Sequence, residues 1–170
     1  MSMLARNLRS LCVPLLIASL LAGCQNMQSK NPLGLESLEK AKQAFLDSWT
    51  KHAGETYTTE KLSRVADTTD SFVSFDAMSK DKTVVKGYAQ YAGIWGPGMA
   101  GFKTAQLSET ENVHVWIREG MAVTASIVRV HGETMDGTMI DMPGHLTLGW
   151  LREGDDWRVV HEHMSLGVKQ

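Results

Sequence analysis

The sequence predicts an α+β fold, in which a curved antiparallel sheet packs on three N-terminal helices. Three observations predict it. Helical periodicity is confined to the stretch between Leu35 and Trp95. Four long segments of strand character then follow one another up to Leu166. The breaks between those segments are short and turn-like, which makes successive strands antiparallel neighbours. Helices followed by a meander is the order of an α+β domain.

The first helix is expected over residues 35–52. Leu38, Ala41, Phe45 and Trp49 recur at three- and four-residue spacing and form one apolar stripe, with Glu36, Glu39, Lys40, Lys42 and Asp47 off it. Gly54 is placed to end this helix. Thr59 can cap a shorter second helix that reaches about Ala66. Residues 71–76 read as a strand from Phe72, Val73 and Phe75, and Thr83-Val84-Val85 is a candidate for another. Gly87 opens a third helix holding Tyr88, Tyr91, Ile94 and Trp95, which Gly96-Pro97-Gly98 is expected to break. The β segments are 103–118, 121–133, 138–151 and 157–166. Glu119-Gly120, Asp136-Gly137 and Glu153-Gly154-Asp155-Asp156 separate them, the second being a strong hairpin signal.

The N-terminus does not belong to this domain. Residues 1–10 carry Arg6 and Arg9 and no acid, and residues 11–21 are almost wholly apolar. That is the charged start and apolar middle of an export signal. The apolar run is shorter than the ~20 residues a spanning helix needs, and Pro14 interrupts it. The stretch Leu21-Ala22-Gly23-Cys24 that follows resembles the lipobox of bacterial lipoproteins. The resemblance implies a signal peptide over 1–23, a lipid on Cys24, a tether through residue 34 and a folded domain over 35–170. It implies a membrane anchor in the bacterial cell envelope. Gln25, where an aspartate would signal inner-membrane retention, implies the outer membrane facing the periplasm in a Gram-negative cell.

Removing residues 1–23 from the 170 leaves 147 and takes Cys12 away. Cys24 is then the only cysteine, so no disulfide can form and no other thiol remains for catalysis or metal binding. Two arginines leave as well, so 15 basic residues face 19 acidic ones, a net charge of −4. A nucleic-acid partner would need a basic stripe, and the sequence holds none. It contains no nucleotide loop, serine-nucleophile elbow or zinc-protease helix motif. No cofactor or resident metal is expected.

Two stretches carry a wider resemblance. One is Phe72-Val73-Ser74-Phe75-Asp76, then Val85-Lys86-Gly87-Tyr88 opening a helix that reaches Ile94-Trp95. The other runs from Gly149-Trp150-Leu151-Arg152 through Asp155-Asp156-Trp157 to His161-Glu162-His163-Met164-Ser165. Together they resemble the nuclear transport factor 2-like superfamily, most closely its SnoaL-like branch, over residues 35–166. The resemblance implies a cone-shaped sheet around a pocket, and pairing of two copies through the outer sheet face. It does not single out a function, because the superfamily includes isomerases, cyclases, dehydratases and proteins without catalysis. Ketosteroid isomerase, a member, uses an aspartate base with a tyrosine and a protonated aspartic acid. Asp76 stands near the base position, Phe45 near the tyrosine, and Gly144 or His145 near the second acid. A base without its oxyanion donors lacks the term that is usually largest, so that chemistry in that form is rejected.

Strand alternation sorts the last segment. Trp157, Val159, His161, His163 and Ser165 share one face, and Arg158, Val160, Glu162 and Met164 the other. Trp157 and Val159 prefer burial, so the first face is expected to point at the helices. That puts at least one of His161 and His163 in the cavity, as general acid and base with Asp76 as partner. The structural alternative is packing, under the helices or at a dimer contact. A zinc site would need a third protein ligand, for which His145 and His114 are candidates whose faces the spacing does not fix. Asp76 is either a base at a strand end or a turn residue. Trp49, Tyr88, Trp95, His114, Trp116 and His145 are the candidate ligand-binding side chains, each with core packing as the plainer alternative. Met99, Met135, Met139, Met142 and Met164 suit an adaptable apolar cavity. The first expectation is therefore an anchored homodimeric domain that binds a small apolar or aromatic ligand. The second is a cofactor-free proton-transfer enzyme using Asp76, His161 and His163, and the third a structural dimer with a filled pocket.

Overall fold

The computed structural model describes residues 34–76 and 84–167, apart from the side chain of Asp76. These residues fall in one compact unit. Cys24 and the stretch expected to be an export signal lie outside them.

Helix α1 spans Leu35–Ser48 and α2 spans Glu60–Ser63. Strands β1 (Val73–Asp76) and β2 (Val85–Lys86) precede α3 (Tyr88–Gly98), which continues into a 3-10 turn over Met99–Gly101. Strands β3 (Phe102–Arg118), β4 (Met121–Thr134), β5 (Met139–Glu153) and β6 (Asp156–Leu166) complete the chain. All six strands form one sheet in the order β2-β1-β6-β5-β4-β3. The expected meander is present in β3 to β6, and β1 adds to its edge parallel to β6.

The helices cover one face of the sheet. Leu38, Phe45, Leu46 and Trp49 from the first helical segment are buried in one cluster with Val128, Leu146, Leu148 and Trp150 from the sheet. Side chains of this size stabilise by roughly 1.5–3 kcal/mol each when fully buried. Trp157 ties the start of α1 to β6, its indole N–H lying 3.2 Å from Gly34 O and 3.1 Å from Ser37 Oγ.

Three local expectations are corrected. First, α1 ends at Ser48, four residues early, because Lys51 is drawn into the sheet: its N–H donates to Ala105 O at 2.8 Å and its carbonyl accepts from Ala105 N at 3.0 Å. Second, α3 continues through Pro97. A proline clashes with the Cβ of the residue before it in a helix, and Gly96 has no Cβ. Third, Lys42 is not on a solvated face. It is only 4% exposed, with its ammonium 2.8 Å from Glu39 Oε2 and 3.1 Å from Glu109 Oε2.

The sheet curves through irregularities in strand register. β3 and β4 shift register three times, between Phe102 and Thr104, Glu109 and Glu111, and Asn112 and His114. Such bulges bend a strand and increase its twist. At the first of them the strands approach so closely that a Cβ on Gly132 would sit 2.3 Å from Thr104 O. A fourth shift lies between β5 and β6, where Trp150 pairs with Val159 but Gly149 pairs with His161. Val160 is the extra residue.

Candidate functional site

The bulge at Val160 decides what β6 offers the interior. Ahead of it, Trp157 and Val159 face the helices and are buried. One added residue reverses the alternation, so beyond the bulge it is Glu162 and Met164 that line the interior. His161 and His163 turn to the outer face. They do not line the cavity as strand parity predicts, because β6 is not a regular strand.

The outer face accounts for most of the other misplaced candidates. His161 Nδ1 lies 3.0 Å from Val73 O. Phe75, exposed on β1, sets its ring 5.2 Å from that of His161 and 6.0 Å from that of His163. His145 is exposed on β5. His114 packs its ring 4.3 Å from Trp116, and Trp116 is 52% exposed. None of His114, Trp116 or His145 lines the cavity. Among the described residues no three His, Cys, Asp or Glu side chains gather as a metal site would require. The backbone of Asp76 pairs with Met164, but its side chain, and so its partnership with a histidine, lies outside the described residues.

The cavity itself sits between the end of α1, α3 and the sheet, with a volume of about 80 Å³. Trp49 and Trp95 form part of its wall, with Met99, Leu107, Met142 and Met164. Trp95 meets Trp49 edge-on, with ring centroids 4.9 Å apart. The cavity is open rather than filled by its own side chains, which runs against a filled structural pocket. Tyr88 does not reach it. Its hydroxyl donates to Thr59 O at 2.9 Å, its ring stands edge-on to Phe72, and burial raises its pKa.

One acid lines this apolar space. Glu162 is 4% exposed, and the Tyr91 hydroxyl donates to its Oε2. Ser74 Oγ, fully buried on β1, lies 3.5 Å from the same oxygen. Tyr57 stacks on Trp49 with centroids 6.3 Å apart. Burial pushes the Tyr57 hydroxyl well above the usual tyrosine range, and Tyr88 and Glu162 add to the push. A buried carboxylate beside a hydroxyl can accept a proton from a bound molecule or hold its polar end. Neither Tyr91 nor Glu162 was singled out from the sequence. The available signals were the Val159-Val160 doublet, which breaks alternation where the bulge lies, and the position of Tyr91 between Tyr88 and Trp95 on one helix stripe.

Solved structures share this architecture. The fold is similar to that of a nuclear transport factor 2-like superfamily protein from Salmonella enterica serovar Typhimurium, at 15% identity and TM-score 0.67, covering 82% of this chain and 94% of that one. It is similar to a dehydratase candidate of the same family from Streptomyces avermitilis, at 17% identity and TM-score 0.64, covering 80% and 98%. It is also similar to an aromatic ring hydroxylase candidate from Novosphingobium aromaticivorans, at 16% identity and TM-score 0.64, covering 82% and 95%. At these identities the likeness shows the fold alone. No curated protein matches the sequence. The sequence matches the SnoaL-like domain over residues 43–169. With that match spanning most of the chain, on a curved six-stranded sheet covered by helices, the chain belongs to the SnoaL-like domain family.

Proposed function

We propose that the domain binds one small apolar or aromatic molecule in the cavity between α1, α3 and the sheet. The observation that supports this is the lining, which is apolar almost throughout and includes the flexible side chains of Met99, Met142 and Met164. A one-ring hydrocarbon burying on the order of 150 Å² would gain about 4 kcal/mol at ~25 cal/mol per Å², which corresponds to roughly millimolar affinity. Titration with ethylbenzene, followed by NMR, should give saturable shifts confined to cavity residues. Met142→Trp, which fills the space, should abolish them. Linear or scattered shifts in the wild type would refute the reading.

The Glu162–Tyr91 pair favours a second reading, cofactor-free proton transfer with Glu162 as base in place of Asp76, His161 and His163. The dehydratase candidate among the fold neighbours makes loss of water one reaction to test. A simpler readout is deuterium exchange into the methyl group of acetophenone, which needs only a base and a bound ketone. Exchange that persists in Glu162→Gln would remove this reading and leave the binding role.

We further propose that Cys24 carries a lipid that holds the domain at the bacterial envelope, and that a second copy covers the outer sheet face. Support for the pairing comes from apolar side chains lying side by side on that face. Trp116 is in register with Val123, and Met121 with Leu151, and all four are exposed.

A further inference from the structure

The outer face of the sheet gathers histidines. Three successive rungs of paired residues cross it from β3 to β6. In the first, Trp116 pairs with Val123, Val123 with Gly149 and Gly149 with His161. In the second, His114 pairs with Ala125, Ala125 with Thr147 and Thr147 with His163. In the third, Glu111 pairs with Ile127, Ile127 with His145 and His145 with Ser165. β1 extends the first two rungs with Val73 and Phe75. Four of the six histidines in the chain therefore stand in one block. His114, His145 and His163 are exposed, and His161 is half-buried.

We propose that the contact between two copies on this face is gated by pH, forming while the four histidines are neutral and opening as they take up protons. This rests on the pairing proposed above and adds its regulation. Glu111 is the one carboxylate among the residues of the three rungs. It stands two strand spacings from His145, about 10 Å, which is beyond the screening length of roughly 8 Å in physiological salt. The other charges on this face are engaged or stand at its ends. Arg129 pairs with Asp141, and His131 lies 3.9 Å from the same carboxylate. Arg118 is in register with Met121, beyond Trp116, and Arg158 lies 3.5 Å from Glu153. Val73 and Phe75 bring no charge, and Asp76 is in register with Met164, which lines the interior. At neutral pH the block thus offers a charged partner little to pair with, and it matches an uncharged face like itself. Histidine gains its proton near pH 6.5. Each proton then puts an uncompensated cation into the contact, and the second copy doubles the number.

The sign follows from linkage. Pairing that requires neutral imidazoles is complete above pH 6.5 and is lost as pH falls below it. At pH 5.5 one such histidine per copy weakens pairing about 100-fold, tenfold for each copy. The test is sedimentation equilibrium of the Cys24→Ser chain, which cannot be lipidated, between pH 7.5 and 5.5, with circular dichroism as a check on folding. The dissociation constant should rise at least about 100-fold while the spectrum stays unchanged. Below pH 6 the logarithm of that constant should climb by about two per pH unit, a readout that needs no variant. Replacing His114, His145, His161 and His163 by glutamine should leave a dimer whose affinity differs less than about 3-fold between the two pH values. His131→Gln should keep the full dependence, since Asp141 already compensates that ring. A wild-type dimer of equal affinity at both pH values would overturn the gating and leave the pairing intact. Dissociation that persists in the four-histidine variant, or that comes with loss of the folded spectrum, would overturn it too. A single protomer at pH 7.5 would remove the pairing and this inference with it.

Discussion

Tyr91, one turn before Trp95 on α3, donates its hydroxyl hydrogen to Glu162 Oε2 on β6. The bond crosses from the helical layer to the sheet, and both residues are buried. Removing one member of such a pair leaves the other desolvated. Tyr91→Phe should therefore lower stability by about 1–3 kcal/mol, read from the urea midpoint. With Glu162→Gln as the second arm, a double-mutant cycle should return a coupling of at least about 0.5 kcal/mol. Strict additivity would contradict a direct bond.

Val160 is the residue that turns Glu162 inward. Deleting it restores regular alternation along β6 and swings His161 and His163 into the apolar interior while Glu162 points out. The deletion should abolish a cooperative melt. Val160→Ala, which keeps the bulge, should cost less than about 1.5 kcal/mol at this half-buried site. Comparable melting of the two variants would disprove the role given to the bulge.

Alkaline pH should expose the state of Tyr57. Its folded-state pKa is raised, first by burial and then by Tyr88 and Glu162. A raised value stabilises the fold fully below the unfolded pKa of about 10, and that contribution is lost as pH climbs towards the folded value. By pH 11 the wild type should have given up about 1.4 kcal/mol from this residue. Tyr57→Phe should lose correspondingly less between pH 8 and 11 in urea titrations. Parallel pH curves for the two proteins would mean that Tyr57 ionises as easily folded as unfolded.

Pairing through the outer sheet face has a direct readout. Sedimentation at tens of micromolar should give the mass of two protomers. Trp116→Lys, which places a charge on the proposed contact, should return one. A wild-type mass of one protomer refutes the pairing.

Lipidation is testable in cells. A clickable palmitate analogue should label the wild type and leave Cys24→Ala unlabelled. Labelling that survives the substitution rules out Cys24 as the acceptor.

The architecture was readable from the sequence because it rests on long-range periodicity and on turns. Asp136-Gly137 and its counterparts mark every hairpin of the meander, and the β3 to β6 boundaries fall within a few residues of those expected. Trp49 and Trp95 were also visible, as large aromatic residues on helix stripes. The chemistry of the site was less readable, since it depends on which face each residue takes. One residue, Val160, exchanges the faces of Glu162 and His163; neither glycine nor proline flags it, and its local sign is the Val159-Val160 doublet. Lys42 was misplaced for a similar reason: its burial is made tolerable by Glu109, 67 positions away. Local spacing carries no information about such partners.

Lys51 has a consequence for kinetics. Its ammonium donates to Met99 O at 3.0 Å and Phe102 O at 2.5 Å, while its backbone pairs with Ala105 in both directions. Met99, Phe102 and Ala105 all belong to the cavity wall, as does Trp49 two positions before Lys51. One residue thus fastens the end of α1, the 3-10 turn and the start of β3 into a single panel. A panel held at four points does not breathe one side chain at a time; it opens cooperatively or stays shut. Residence times in the cavity should then follow the opening frequency of this corner, on a scale of microseconds or longer, and depend little on how tightly any given occupant is held.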